Sequence, residues 1–220
     1  MQDLVVFGVS GFSKIVTELV ESAGVFRVVG FTVDAAHQRS HEFLDRPVVA
    51  FEQLEEHFPP ERAHALVAVG YSKMNQVRRQ KYLEFKARGY SMGYYRCPRL
   101  HVPSSVRLGE HHLILDENSL QPYCEIGDNV VLWSRNVIGH ESRIGSHCFV
   151  SSGAIVSGFA RLGEGCFLGP TTVVVANVTI GARVFLGPGA IAAEDLADER
   201  VLVGPKSELR KISSGRLPRF

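Results

Sequence analysis

The sequence predicts an α/β domain followed by an all-β parallel helix of hexapeptide repeats, on three observations. Over roughly the first 95 residues, apolar strand-like runs alternate with helical stretches. From Val102 onward every sixth residue is aliphatic, and this frame runs through fifteen hexads to Leu186 without an insertion. Glycine follows the aliphatic residue in eight of those hexads, as in IGDNVV, IGSHCF and LGEGCF. A period of six at this strictness marks a hexapeptide β-helix.

In the first part, LVVFG (Leu4–Gly8) reads as a short buried strand. VSGFSKIVTELVESAG after it reads as a turn and a helix with Ile15, Leu19 and Val20 on one face. FRVVGFTVD is a second strand ending at Asp34, and HALVAVGY a third ending at Gly70–Tyr71. Helical stretches fall near Glu52–His57 and Asn75–Arg88. This alternation implies a small parallel sheet covered by helices. Such sheets bind ligands beyond the carboxyl ends of their strands, and Gly8, Ser10, Gly11, Asp34, Gly70 and Tyr71 fall at those ends. The helix after Gly8-Val-Ser-Gly11 would offer backbone N–H groups to a phosphate. The motif is not G-x-G-x-x-G, and the segment suffices for one mononucleotide-binding half, so no full dinucleotide site is expected. Nucleotide or nucleotide-sugar binding and a purely structural role are both open on these residues alone.

In the second part, three hexads make one triangular coil, so residues 18 apart stack at about 4.8 Å. Five coils are expected from Val102 to about Ile191. Two residues before each aliphatic position the side chain is mostly small or β-branched (Val130, Ser142, Ala154, Ala160, Thr172, Val178, Val184), as a tight interior demands. Cys148 and Cys166 occupy such positions one coil apart and are expected to be inert core thiols. The domains divide as 1–97 and 98–220, and the coil ends would be covered by the first domain and by the segment from Glu194.

The net charge of +1 argues against nucleic-acid binding, which needs a concentrated basic face. A local exception is the tail from Gly204 to Phe220, where Lys206, Arg210, Lys211, Arg216 and Arg219 face only Glu208; a solvated tail and an anion-binding tail are both open. No apolar run reaches a membrane span, and the N-terminus shows no signal layout. The four cysteines form no C-x-x-C and no zinc spacing, so a reducing cytoplasm is expected.

The segment Ile138-Gly139-His140-Glu141-Ser142-Arg143-Ile144-Gly145 places an acid directly after a histidine. Strand neighbours point to opposite faces, so such a pair requires a corner of the prism. Gly158 stacks 18 residues after His140, leaving room beside the ring and a backbone N–H for a developing oxyanion. Together with the N-terminal GVSG loop, this I-x-H-E-x-x-I-G hexad resembles the NeuD/PglD-like sugar acyltransferases over nearly the whole chain. The resemblance implies a Rossmann-like domain joined to a left-handed β-helix, and a homotrimer. It implies transfer of an acyl group, usually acetyl, from coenzyme A to a hydroxyl or amine of a sugar, often nucleotide-linked, without a metal. It makes His140 the general base and Glu141 its orienting acid, and assigns His147, Gly158 and Lys206 to the acyl-coenzyme A site. GYSKMN and FTVD are consistent with a subgroup that acts in surface-polysaccharide synthesis.

Three positions depart from the family pattern: Phe12 replaces a histidine after Ser10-Gly11, Trp133 replaces a common asparagine, and Gly204-Pro205-Lys206 is a shortened terminal motif. Two rival readings stand beside this one. A γ-carbonic-anhydrase-like zinc enzyme would need an H-x-x-x-x-H pair, whereas His140 and His147 are seven apart. A non-catalytic nucleotide-sugar-binding or scaffold protein would have no use for the His140–Glu141 hexad.

Overall fold

The computed structural model describes residues 1–207. Of the basic tail, Arg210, Lys211, Arg216 and Arg219, with Glu208, lie outside the described residues. The first domain comprises β1 (Gln2–Phe7), α1 (Gly11–Ser22), β2 (Phe26–Val33), β3 (Glu42–Phe43), β4 (Arg46–Ala50), α2 (Leu54–His57), β5 (His64–Val67) and α3 (Gln76–Ala87). Its sheet has the order β3-β4-β2-β1-β5, parallel except for the β3–β4 hairpin. That hairpin is absent from the sequence reading, because its turn is Leu44-Asp45, both left-handed, rather than an Asn-Gly type signal. The strand expected to end at Gly70–Tyr71 ends at Val67, and both residues lie in the loop beyond. The buried face of α1 is Ser13, Val16, Thr17 and Val20, while Ile15 is 43% exposed. The helix is rotated from the expected phase so that the Ser13 hydroxyl points back to the sheet, donating to Ala68 O at 3.5 Å.

After β6 (Tyr95–Arg96), sixteen two-residue strands from Arg107–Leu108 to Val201–Leu202 form a left-handed parallel β-helix with three sheets. Every strand pairs in register with strands 16 to 18 residues away, as in Val137↔Ile155 and Ile138↔Val156. β6 already pairs with Leu113–Ile114, so the β-helix claims residues that the sequence reading gave to the first domain. Val102 forms no strand, and the hexad strands begin at Leu108. The interior is the aliphatic hexad ladder plus Val130, Ser142, Ala154, Ala160, Thr172 and Val184, all at 0% exposure. All four cysteines are free and buried.

Each corner turns on a residue with left-handed backbone, and these recur every six positions from His111 to Gly189. Only three of them, Gly153, Gly165 and Gly189, are glycines. The glycines after the aliphatic positions answer a different need: a Cβ on Gly139 would lie 2.5 Å from Gly158 N of the next coil.

The three sides of the prism differ. One, carrying Leu113, Val131, Phe149 and Phe167, is buried against the first domain. A second presents Arg107, Glu125, Arg143, Arg161 and Thr179, here called the arginine side. The third presents Ser119, Val137, Ile155, Val173 and Ile191, the aliphatic side, where Ile155 and Ile191 are 39% and 60% exposed.

The domains are joined by a polar lock under α3. The Arg78 guanidinium, fully buried, donates to Asn129 Oδ1 (3.1 Å), Gly70 O (3.0 Å), Asn75 Oδ1 (2.9 Å), His147 O (2.7 Å) and Cys148 O (3.0 Å). Asn75 Nδ2 donates to Gly165 O (3.0 Å) and Cys166 O (3.1 Å), the equivalent carbonyls one coil on. Replacing Arg78 by alanine orphans several buried acceptors, at about 1–3 kcal/mol each. Arg78→Ala is therefore expected to lower unfolding free energy by about 3 kcal/mol or more, measured by urea titration. Arg78→Lys should recover only part, since an ammonium lacks the planar fork that serves these six acceptors, Asn129 O at 3.4 Å among them.

Candidate active site

His140 and Glu141 form the corner between the aliphatic and arginine sides, after Val137–Ile138 and before Arg143–Ile144. Both are exposed. The His140 N–H donates to Gln121 Oε1 at 2.9 Å, and its carbonyl accepts from Phe159 N at 3.0 Å. The imidazole lies over the next coil: a Cβ on Gly158 would be 2.7 Å from His140 Nε2 and 2.8 Å from Cε1. Phe159 meets the ring edge-on at 5.0 Å. The Gly158 N–H makes no hydrogen bond among the described residues. Glu141 takes the left-handed conformation (φ 55°). No hydrogen bond or ion pair joins the two among the described residues. Instead Glu141 borders a cavity of about 350 Å³ with Tyr123, Glu125, Arg143, Phe159 and Arg161.

A larger cavity of about 690 Å³ runs along the arginine side and shares Glu125, Arg143 and Arg161 with the first. Glu125 neutralises part of it, lying 3.8 Å from Arg107 and 3.4 Å from Arg143. Asp198 also lines the larger cavity and Glu141 the smaller, so the surface beside His140 is of mixed charge, with Arg161 lacking an acidic partner among the described residues. Lys206 is exposed at the far end of the helix. These arginines were not singled out from the sequence; their 18-residue spacing was the available signal.

Gly8, Ser10, Gly11, Asp34, Gly70 and Tyr71 lie along the carboxyl edge of the sheet. Gly8 has φ +116°, and a Cβ there would lie 3.0 Å from both Ala68 O and Ser13 Oγ, so the close turn requires glycine. Ser10 caps α1 reciprocally with Ser13, at 3.3 and 3.2 Å. The N–H groups of Gly11 and Phe12 find no acceptor among the described residues. Asp34 pairs with Lys81, which also binds Glu84 at 2.7 Å and lies over the Phe51 ring at 4.4 Å. The Gly70 carbonyl belongs to the Arg78 lock. Tyr71, 53% exposed, packs on Phe149 and Phe167 of the β-helix at 5.2 and 4.5 Å.

His147 is not beside His140. It occupies the next corner, buried under the first domain against Tyr82 at 5.6 Å. It belongs to a column of corner residues 18 apart. Val67 N donates to His111 Nε2 (2.9 Å), His111 Nδ1 meets Asn129 Oδ1 (3.1 Å), and Asn129 Nδ2 meets His147 Nδ1 (2.9 Å). The bond from Val67 requires a free lone pair on His111 Nε2, so that ring is neutral with its proton on Nδ1; the amide donor of Asn129 likewise requires a lone pair on His147 Nδ1. Burial, reinforced by Arg78, pushes the His111 pKa down to about 3. Burial, with Arg79 and Arg78, takes His147 to about 4. Among the described residues no three His, Cys, Asp or Glu side chains stand close enough to hold a metal ion. Among the described residues no helix is long and apolar enough to cross a membrane.

Residues 3–85 match the model of the PglD N-terminal domain, and residues 123–158 and 159–191 match bacterial transferase hexapeptide repeats. No curated protein sequence matches the chain. Among solved structures, a histidine-to-asparagine variant of perosamine N-acetyltransferase from Caulobacter crescentus, in complex with CoA and GDP-perosamine, is 27% identical. The match covers 93% of this chain and 94% of that one, with a TM-score of 0.83. The acetyltransferase domain of PglB from Neisseria gonorrhoeae is 25% identical over 93% and 97% of the two chains, TM-score 0.81. WeeI from Acinetobacter baumannii, 18% identical over 93% and 97%, TM-score 0.73, shares the fold.

The neutral histidine column makes stability pH-dependent. Both folded pKa values lie below the ordinary value of 6.5, so the unfolded chain binds more protons between 6.5 and about 4. The contribution is fully present above pH 6.5 and is lost as pH falls. Two such rings cost about 3 kcal/mol between pH 6.5 and 5. His112, also lowered by burial, acts in the same sense. Urea unfolding at pH 7 and pH 5 checks this, and replacing His111 with asparagine should flatten part of the slope.

Proposed function

Because the chain belongs to the NeuD/PglD-like sugar acyltransferases, we propose that it moves an acetyl or other short acyl group from coenzyme A to an amine or hydroxyl of a nucleotide-linked sugar. Surface-polysaccharide or glycan synthesis is the setting. The observation that carries the reading is the His140 imidazole held over the bare backbone of Gly158 at an open corner. His140 Nε2 takes the proton of the attacking amine or hydroxyl as the nucleophile bonds to the thioester carbon. The Gly158 N–H, which makes no hydrogen bond among the described residues, stabilises the resulting oxyanion. Collapse expels the coenzyme thiolate, which the imidazolium reprotonates. Glu141 supports the imidazolium through space rather than by a hydrogen bond. The acyl donor lies along the cavities of the arginine side, with Arg143 and Arg161 facing its anionic groups, and Lys206 contacts it farther along the helix. His147 serves this site indirectly, by fixing the corner that follows it.

The acceptor's nucleotide is held by Gly8, Ser10, Gly11, Asp34, Gly70 and Tyr71. These residues face the domain-covered side of the prism, one full side away from His140. Five to six residues at about 3.3 Å each make that separation on the order of 15–20 Å. One protomer does not join acceptor to base. A cyclic homotrimer does, by a heterologous contact that brings the His140 edge of one copy to the seam of the next. The exposed aliphatic side supplies the apolar surface for it.

Thiol release from acetyl-coenzyme A should depend on added nucleotide-linked amino sugar; release that ignores every such acceptor would reject the reading. His140→Ala is expected to lower kcat by about 10²-fold or more, the usual range for a lost general base. Gly158→Ala should be similarly damaging, because its methyl would overlap the ring, and Glu141→Ala milder. Sedimentation should show a trimer for all three variants as for the parent chain, and a monomeric parent would remove the shared site.

A further inference from the structure

A base that turns freely presents its lone pair to the reacting proton only part of the time. The two ring nitrogens of His140 make no hydrogen bond among the described residues, and Glu141, the acid beside it, supplies none. The ring is placed all the same: a Cβ on Gly158 would lie 2.7 Å from Nε2, 2.8 Å from Cε1 and 3.2 Å from Cδ2. The side chain that meets it is Phe159, whose ring stands perpendicular to the imidazole at 5.0 Å between centroids. The Phe159 N–H also donates to the His140 carbonyl at 3.0 Å, which ties the two residues together across successive coils.

Neither the core nor the turn calls for a phenylalanine at this position. Phe159 is 41% exposed and belongs to none of the three apolar clusters of the interior. Its backbone is left-handed (φ 62°), and among the described corners from His111 to Gly189 it is the one purely apolar side chain. A bulky residue is strained there, whereas asparagine is tolerated, and the same corner one coil on carries Asn177 at φ 64°. The strained, half-exposed ring has the base as its aromatic partner. An edge-to-face pair at this separation favours the paired rotamer by about two- to tenfold.

We infer that Phe159 is a positioning residue of the acyl-transfer site: its ring holds the His140 imidazole over Gly158, a task that a hydrogen-bonded carboxylate performs in other bases of this kind. This rests on the acyltransferase reading and adds a residue that acts on the reaction through His140. Phe159→Asn removes the ring and installs a side chain suited to the corner, so its urea midpoint should equal or exceed that of the parent, and sedimentation should show the same trimer. Activity is measured with acetyl-coenzyme A and the best acceptor from a set of UDP-, dTDP- and GDP-linked amino sugars. The kcat of Phe159→Asn should fall about fivefold, with KM for both substrates within about twofold of the parent. Phe159→Tyr keeps the ring and should hold kcat within about twofold. In protein carrying 13C-labelled histidine, the His140 Cε1–H signal, assigned by its absence in His140→Ala, should show an Overhauser contact to the Phe159 ring. Unchanged kcat in Phe159→Asn, an equal loss in Phe159→Tyr, or no such contact would overturn the role and leave the acyltransferase reading standing. A lowered urea midpoint or a monomer would also overturn it, by assigning the ring to packing or to the subunit contact. A parent chain that acetylates no member of the set would reject the acyltransferase reading, and this role with it.

Discussion

The two domains depend on one buried cation. Arg78 is removed from water with no carboxylate paired to it among the described residues, and burial lowers its pKa to about 10, which leaves it charged at neutral pH. Its charge is spread over neutral oxygens: three backbone carbonyls of the β-helix, the Gly70 carbonyl and two asparagine amides. The β-helix can supply those carbonyls because its corners interrupt the ladder. His147 O and Gly165 O accept from no backbone N–H, so each corner leaves an acceptor facing outward. Asn75 and Arg78 are three residues apart, a rise of about 4.5 Å along α3, and the coils repeat at about 4.8 Å. One helix turn therefore matches one coil, and the two residues take equivalent carbonyl pairs on successive coils.

That match has consequences at the seam. It holds Gly70, and with it the loop carrying Tyr71, against the domain-covered side, and it fixes α1 so that Phe12 meets Trp133. The carboxyl edge of the sheet is thereby aimed at the β-helix at a set distance. A flexible linker would leave the two domains free to reorient; a buried lock of directional hydrogen bonds does not. The neutral histidine column belongs to the same construction, since a second cation beside Arg78 would face an unscreened like charge.

The β-helix was legible because its physics is periodic. Leu108 to Leu186 mark the interior at intervals of six, and the small residues two positions earlier were readable as filler for a narrow prism. The left-handed corner residues share the same period, yet Glu141, His147, Phe159 and Arg183 carry no compositional sign of it. His147 thus looked like a site residue by its closeness to His140 in sequence, although seven residues carry it past an edge to another side. The lock was not legible at all. α3 reads QVRRQKYLEFKA, which has the polarity of a solvated helix, and only tertiary contact shows that Arg78 and Lys81 are buried. Phe12 and Trp133 were visible singly as departures from a family pattern; that they touch is a fact of the fold.

His140 and His147 show how one repeat produces opposite environments. Both lie at corners in the same hexad frame, and both have a residue of the next coil beneath them. Under His147 that residue is Gly165 with the first domain packed over it, and the ring is sealed and neutral. Under His140 it is Gly158, and the ring lies exposed on bare backbone at an open edge. Elsewhere on that corner the stacked positions carry side chains, such as Pro122 below and Ala176 above. The space a reacting carbonyl would need is thus the volume of one missing side chain in an otherwise filled column, and the rigidity of the coil is what keeps it from closing.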